Sequence, residues 1–132
     1  MSGEAKSSAR RALLLPPLHL ALVLRMNLLL KWKIKKIESA LKELVRAEGY
    51  KPMVWSFGAY YIHPKHLVFV VGVPTDEGKA ALKGNDFFIA SMKTLLEKYN
   101  WPKHARPEVV FDIESQETVE RENNGNWWYH YK

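Results

Sequence analysis

The chain has 132 residues, which is enough for one domain, and its hydrophobic share of 47% is typical of a globular protein. It contains no cysteine, which excludes disulfide bonds, thiol nucleophiles and cysteine-ligated metal sites. The net charge of +6 divides evenly between a short leader and the remaining body, so the body carries too little positive charge to indicate a nucleic-acid partner by itself.

Residues 1–25 form a leader whose composition differs from that of the body. A basic stretch precedes an apolar, leucine-rich run over residues 12–24, which imitates a signal peptide but lacks a small-residue cleavage site. The short length of this apolar run and the pair Pro16-Pro17 disfavour a membrane span. We expect a disordered or non-native leader ahead of an internal start at Met26, and a cytoplasmic protein. The alternatives are an inefficient targeting segment and an apolar tail that binds a partner or a membrane surface.

Residues 26–132 are expected to form a single domain. Apolar residues at helical spacing predict a first helix from the cap Asn27 to about residue 48, with Gly49 at its C-terminal end. A strand over residues 67–73 is apolar on both faces, which indicates a central position in a sheet covered on both sides, or covered on one and crowded on the other. The remaining predicted elements are strands over residues 53–62, 108–114 and 127–131, and a pair of helices capped by Thr75 and Asn85.

These elements predict an α+β fold in which helices pack on a mostly antiparallel four-stranded sheet, in the order α-β-β-α-β-β. Gly58, inside the first predicted strand, is expected to mark a bulge or close packing. A terminal aromatic strand at a sheet edge would also suit a homodimer formed by edge pairing.

Acidic and aromatic residues concentrate near the C-terminus. As a strand, residues 127–131 would place Trp128 and His130 on one face and the other three aromatic residues on the opposite face. Aromatic side chains anchor protein interfaces, and acidic groups steer basic partners. We therefore expect a non-catalytic protein that binds another protein, as inhibitors, immunity proteins or accessory proteins do. The predicted partner-binding residues are Asp112, Glu114, Glu117, Glu120, Trp127, Tyr129 and Tyr131.

Single-stranded nucleic-acid binding is the first alternative. It would use the basic residues Lys31, Lys33, Lys35 and Lys36 together with exposed aromatic rings. Helical geometry spreads these lysines around the helix, and the acidic C-terminal segment would repel phosphates, so this alternative is less favoured.

A metal-dependent phosphodiesterase is the second alternative. His63-x-x-His66 with a third histidine could hold a metal ion, and Asp112-x-Glu114 could bind magnesium. We expect instead that the histidines form a polar turn and the carboxylates a solvated strand face, so no cofactor is predicted. The sequence has no phosphate-binding glycine loop and no serine in a nucleophile elbow, and an enzyme is therefore not favoured.

The third alternative is a small-ligand binder with an aromatic pocket between the sheet and the helices. Such a pocket would be lined by Trp55, Phe57 or Trp128.

Overall fold

The structure is a computed structural model that describes residues 18–132. The first part of the predicted leader, with its signal-peptide-like start and paired prolines, lies outside the described residues. The described residues fall into two compact units, one ending at Trp32 and the other beginning at Lys33. Within residues 18–132, no helix is long and apolar enough to cross a membrane.

The first helix, α1, spans Leu18–Ala47 and begins well before the predicted start at Asn27. Asn27 therefore lies inside the helix and is not its cap. The reason is that leucine, alanine and lysine, all strong helix formers, continue on both sides of this asparagine, and one residue of lower propensity does not end a helix. The predicted C-terminal end is confirmed. Gly49 has a left-handed φ of 91°, and the amide of Tyr50 donates to the carbonyl of Val45.

The sheet has three strands, β1 (Met53–Phe57), β2 (Val68–Val73) and β3 (Val110–Ser115), in that spatial order. Strand β1 is antiparallel to β2, whereas β3 is parallel to it. The prediction of a four-stranded, mostly antiparallel sheet is therefore wrong in strand number and in one pairing. The parallel pair arises because helices α2 (Asp76–Lys83) and α3 (Asp86–Lys98) form a crossover connection after β2.

The predicted caps of the two crossover helices are confirmed. Thr75 Oγ1 accepts a hydrogen bond from the amide of Gly78, and Asn85 Oδ1 accepts one from the amide of Phe88. Two short 3₁₀ helices, Pro64–His66 and Lys103–Glu108, complete the connections on either side.

One face of the sheet, which we call the helix face, carries the core. Phe69 and Phe111 stack on it with ring centroids 5.2 Å apart. Ser56 points to the same side and donates to Glu38 of α1 over 2.7 Å. Below it, α1 contributes a stripe of buried residues at helical spacing, namely Ile34, Ile37, Leu41 and Val45.

The predicted fourth strand is instead helical. After β3 the chain forms helix α4 (Gln116–Asn123) and the single turn α5 (Trp127–His130). Asn124 and Gly125 both have left-handed φ angles, of 52° and 79°, and end α4. The side chain of Asn126 then accepts a hydrogen bond from the amide of Tyr129 and caps α5, so local capping outweighs the strand propensity of the aromatic residues.

Candidate functional site

Helix α5 lies against the second face of the sheet, which we call the cleft face and which carries Trp55, Val70 and Asp112 in register. Because α5 is helical, the residues that share its inner side are Trp127, His130 and the following Tyr131, at spacings of three and four. Trp128 and Tyr129 point outward and are 71% and 58% exposed. The grouping of aromatic residues predicted for a strand is therefore wrong.

Trp127 is the central contact between α5 and the sheet. Its ring meets Trp55 edge to face with centroids 4.8 Å apart, and its Nε1 donates to Gln116 Oε1 over 2.6 Å. Gly72 of β2 lies next to the ring. A Cβ on Gly72 would stand 3.4 Å from the Trp127 ring and 3.0 Å from the side chain of Met53.

Tyr131 makes the second contact of this segment with the sheet. Its ring lies 5.6 Å from that of Phe57, and its hydroxyl donates to Asp112 Oδ2 over 2.7 Å. Burial, together with the hydrogen bond to a carboxylate and its negative charge, raises the pKa of the Tyr131 phenol well above its usual value of 10. The phenol therefore stays protonated and continues to donate at neutral pH.

Glu114 is a buried carboxylate whose two oxygens are both engaged. Oε1 accepts from Lys79 Nζ at 2.6 Å and from the Ser115 amide at 2.9 Å, and Oε2 lies 2.9 Å from His130 Nε2. Burial raises the pKa of Glu114, but the bonds from Lys79, Ser115 and His130 outweigh it and hold the pKa below its usual value. Asn123 approaches the other ring nitrogen of His130 at 2.6 Å, so the imidazole is held on both sides.

Asp76 ties the start of α2 to the start of α4. The hydroxyls of Ser115 and Thr118 donate to its Oδ1, and Arg121 lies 3.0 Å from its Oδ2. These hydrogen bonds, in that order, lower the pKa of Asp76 to about 2. Glu117 completes the junction, since its Oε1 accepts from the backbone amide of Asp76 over 2.9 Å.

Beside these contacts, the cleft face is left partly open, and a cleft of about 550 Å³ forms there. We call it the aromatic cleft. Its lining is almost entirely apolar, and its walls are Trp55, Ser56, Phe57, Trp127, Trp128, Tyr131 and Lys132. Among these described residues Lys132 alone carries a charge, and its Nζ lies 5.0 Å from the centroid of the Trp128 ring.

The predicted partner-binding residues separate into two groups. Four of them are buried or half-buried and make hydrogen bonds within the molecule, namely Asp112, Glu114, Trp127 and Tyr131. The other three lie on the surface, and these are Glu117, Glu120 and Tyr129. The structure does not bring the seven residues together as one exposed surface.

The lysines of the nucleic-acid alternative differ in their surroundings. Lys33 is half-buried and donates to the carbonyl of Asn100 over 2.7 Å. Lys35 lies 3.7 Å from Glu38, whereas Lys31 is exposed. Lys36 is exposed as well.

The candidate metal ligands do not assemble into a site within the described part of the chain. His63 and His66 have ring centroids 6.0 Å apart, and His104 lies 5.5 Å from His63. His63 Nδ1 is occupied, since it accepts a hydrogen bond from a backbone amide two residues later. Asp112 and Glu114 are bound by the groups described above, and among residues 18–132 no three such side chains are arranged to hold a metal ion.

No family model matches the chain, and neither a curated protein nor a solved structure matches it. Of the cleft residues, sequence reasoning named Trp55, Phe57 and Trp128 but missed Lys132. The helical turn that places Lys132 beside Trp128 was signalled by Asn126, a helix cap directly before the aromatic run.

Proposed function

We propose that this protein binds a flat, apolar small molecule that carries an anionic group, and that the aromatic cleft is the binding site. The observation that carries this proposal is a cleft of about 550 Å³ that combines three indole rings with one cation. Small-molecule sites have volumes of about 300–1,000 Å³, with mostly apolar walls and a few polar groups that orient the ligand.

The walls differ in how firmly they are held. Trp127 is fixed by its hydrogen bond to Gln116 and by its contact with Trp55, so these two rings form a rigid inner wall. Trp128 forms an outer wall and is exposed, so the ring face that Lys132 does not cover can stack on a planar ligand. A flat aromatic ring that enters the cleft would displace water from the inner wall and from the outer wall at once.

Charge favours an anionic group on the ligand. Lys132 places an ammonium group near the Trp128 ring, where it can pair with a carboxylate or sulfonate. A cationic ligand would compete with Lys132 for the same ring face. Asp112 is not part of the lining, and its carboxylate accepts the hydroxyl of Tyr131.

Binding of 2-naphthoate, followed by tryptophan fluorescence and by NMR titration of the full chain, tests the proposal. The naphthyl group provides a flat apolar ring and the carboxylate an anion. We expect saturable binding with shifts at Trp55, Trp128 and Lys132. Trp128→Ala should weaken it about tenfold through loss of stacking, and Lys132→Gln about threefold to fivefold through loss of one ion pair at a rim.

Two controls separate this site from general stickiness. Phe87→Ala removes an aromatic side chain that is 78% exposed but lies outside the cleft, and it should leave binding unchanged. The matched cation 2-naphthylmethylammonium should bind more weakly than 2-naphthoate, and Lys132→Gln should abolish that preference. Equal effects of the Phe87 and Trp128 variants, or tighter binding of the cation, would contradict the proposal.

Binding of a protein partner is a second candidate function, and the outward position of two aromatic residues favours it. Trp128 and Tyr129 are both largely exposed, and the exposed acidic residues Glu117, Glu120 and Glu122 belong to the neighbouring helix α4. Tyr129 also lines a polar concavity of about 410 Å³ with Glu122 and three asparagines. Large aromatic side chains surrounded by charge are typical of interface anchors.

The double variant Glu120→Lys/Glu122→Lys distinguishes the two candidates, since it leaves Glu117 in place to accept the amide of Asp76. A protein partner steered by negative charge would associate more slowly with this variant, whereas 2-naphthoate binding in the cleft should not weaken. Association measured by surface plasmon resonance against a captured partner gives the rate. Loss of naphthoate binding in this variant would show that the acidic residues and the cleft are not separate.

A further inference from the structure

The first fifteen described residues of α1 expose an unusual amount of apolar side chain. Leu18, Leu22, Met26 and Leu29 follow one another at helical spacing and are 79%, 52%, 62% and 51% exposed. A second stripe, formed by Leu24, Leu28 and Trp32, is 53%, 68% and 55% exposed. Soluble surface helices keep one polar face, and a helix that is apolar nearly all round is normally covered by protein or lipid.

The charge of this region has one sign. Between Glu4 and Glu38 the sequence contains no acidic residue, whereas eight residues are lysine or arginine. Of these, Arg25 and Lys31 lie within the apolar part of α1 and are exposed. An exposed apolar helix that carries cations suits anionic lipid, because the leucines can enter the hydrocarbon boundary while Arg25 and Lys31 pair with headgroups.

We infer that residues 18–32 form a helix that lies on the surface of an anionic membrane. Arg25 and Lys31 stand within this stretch, and charges are costly inside a hydrocarbon core, so an in-plane position suits it. Arg25 and Lys31 can extend their charged ends to the headgroups while their stems stay with the leucines. Trp32, at the end of the stretch, is a residue type enriched at that boundary.

Charge complementarity favours lipid over a second copy of the chain. Two copies of this segment would bring only cations together, since neither has an acidic side chain to pair with them. An anionic membrane supplies the missing negative charge and covers the leucines at the same time. The sequence favours no membrane partner, because the short apolar run and its two prolines disfavour a span, but both prolines precede residues 18–32 and leave the surface-bound alternative open.

Co-sedimentation of the full chain with vesicles tests the inference. Vesicles of phosphatidylcholine alone are compared with vesicles in which half the lipid is phosphatidylglycerol. We expect binding that is at least tenfold stronger to the anionic vesicles and that weakens as salt is added. The triple variant Leu22→Gln/Met26→Gln/Leu29→Gln should lose about tenfold or more of this binding, since it removes three of the four residues of one apolar stripe.

The matched control is Tyr61→Gln/Ile62→Gln/Phe87→Gln, which replaces three apolar side chains that are 60%, 73% and 78% exposed elsewhere. It should bind vesicles as the unaltered chain does. Arg25→Gln/Lys31→Gln should lose about fivefold for each charge on anionic vesicles and nothing on neutral ones. This variant keeps the inference testable if the leucine variant fails to fold, which circular dichroism would reveal.

Three results would overturn the inference. One is binding to neither vesicle, and another is equal binding to both. The third is a dimer in light scattering that the triple leucine variant dissociates, without any vesicle binding, which would identify a second copy of the chain as the partner.

Discussion

Glu114 of β3 makes several bonds to other parts of the molecule that its sequence position did not predict. The carboxylate is 7% exposed and joins α2 through Lys79 and α5 through His130. A charged group in such a position is tolerated only when each oxygen has a partner, and within residues 18–132 no buried side-chain nitrogen or oxygen lacks one. From the sequence, Glu114 was predicted to lie on a solvated strand face, because alternation along a strand does not reveal which later segment covers it.

Glu114→Gln should destabilise the fold by about 2 kcal/mol. The amide keeps the volume but leaves Lys79 and His130 facing a group that no longer carries the compensating charge. The expected cost lies below the roughly 3–5 kcal/mol of a fully buried broken pair, because Lys79 is 23% exposed and partly solvated. Urea denaturation measures the difference. Glu120→Gln, at an exposed site bonded to Gln116, should change stability by less than about 0.5 kcal/mol. Equal losses in the two variants would mean that the buried network contributes nothing.

At the level of the helices and strands, three predicted end residues were right and one, Asn27, was wrong because it lies inside α1. Gly49, Thr75 and Asn85 act as expected, because a cap depends on its own conformation and on amides three residues away. The last element was wrong for a related reason. Its aromatic residues favour strands, but Asn126 accepts the amide of Tyr129 and caps a helical turn.

Gly58 offers a sharp test of close packing. Its φ is +113°, and a Cβ there would stand 1.9 Å from the carbonyl oxygen of His66. Gly58→Ala should therefore cost about 3 kcal/mol, since both the backbone angle and the contact resist the change. Gly49 is the matched control. It also has a positive φ, +91°, but a Cβ there meets nothing within 4 Å, so Gly49→Ala should cost about 1 kcal/mol. Thermal or urea unfolding measures which of the two substitutions costs more stability, and a larger loss of stability at Gly49 would contradict the packing argument.

For the whole molecule, two carboxylates link stability to acid pH. Asp76 has its pKa lowered to about 2, and Glu114 also has a lowered pKa. A carboxylate whose pKa is lower in the folded state stabilises the fold above its unfolded pKa and loses that contribution as pH falls. Stability should therefore be steady near neutrality and decline from about pH 4.5 towards pH 2.

Asp76→Asn should remove part of that dependence. The difference in urea midpoint between Asp76→Asn and the unaltered chain should be largest above pH 4 and shrink as pH approaches 2. Asp86→Asn, at an exposed first-turn position of α3, should not reproduce this change. A constant difference between pH 5 and pH 2 would contradict the lowered pKa of Asp76. At the alkaline end, the raised pKa of Tyr131 stabilises the fold below pH 10, and this contribution is lost as pH rises further.

Features that depend on neighbours along the chain could be predicted from the amino-acid sequence. The α+β class, the apolar stripe of α1, the caps of the crossover helices and a central strand buried on both sides all follow from periodicity and from short-range hydrogen bonding. Trp55, Phe57 and Trp128 were predicted to line an aromatic pocket, because residue type alone indicates which side chains can form apolar walls.

Which of those residues come into contact depends on the packing of distant segments and could not be predicted from the sequence. The parallel pairing of β3 with β2 depends on how the crossover helices return the chain, and periodicity within a strand carries no information about its direction. The aromatic cleft depends on α5 turning back over the sheet, with Trp127 against Trp55 and Tyr131 against Asp112. These contacts join residues far apart in sequence, and their free energy comes from burial and shape, which no local pattern encodes.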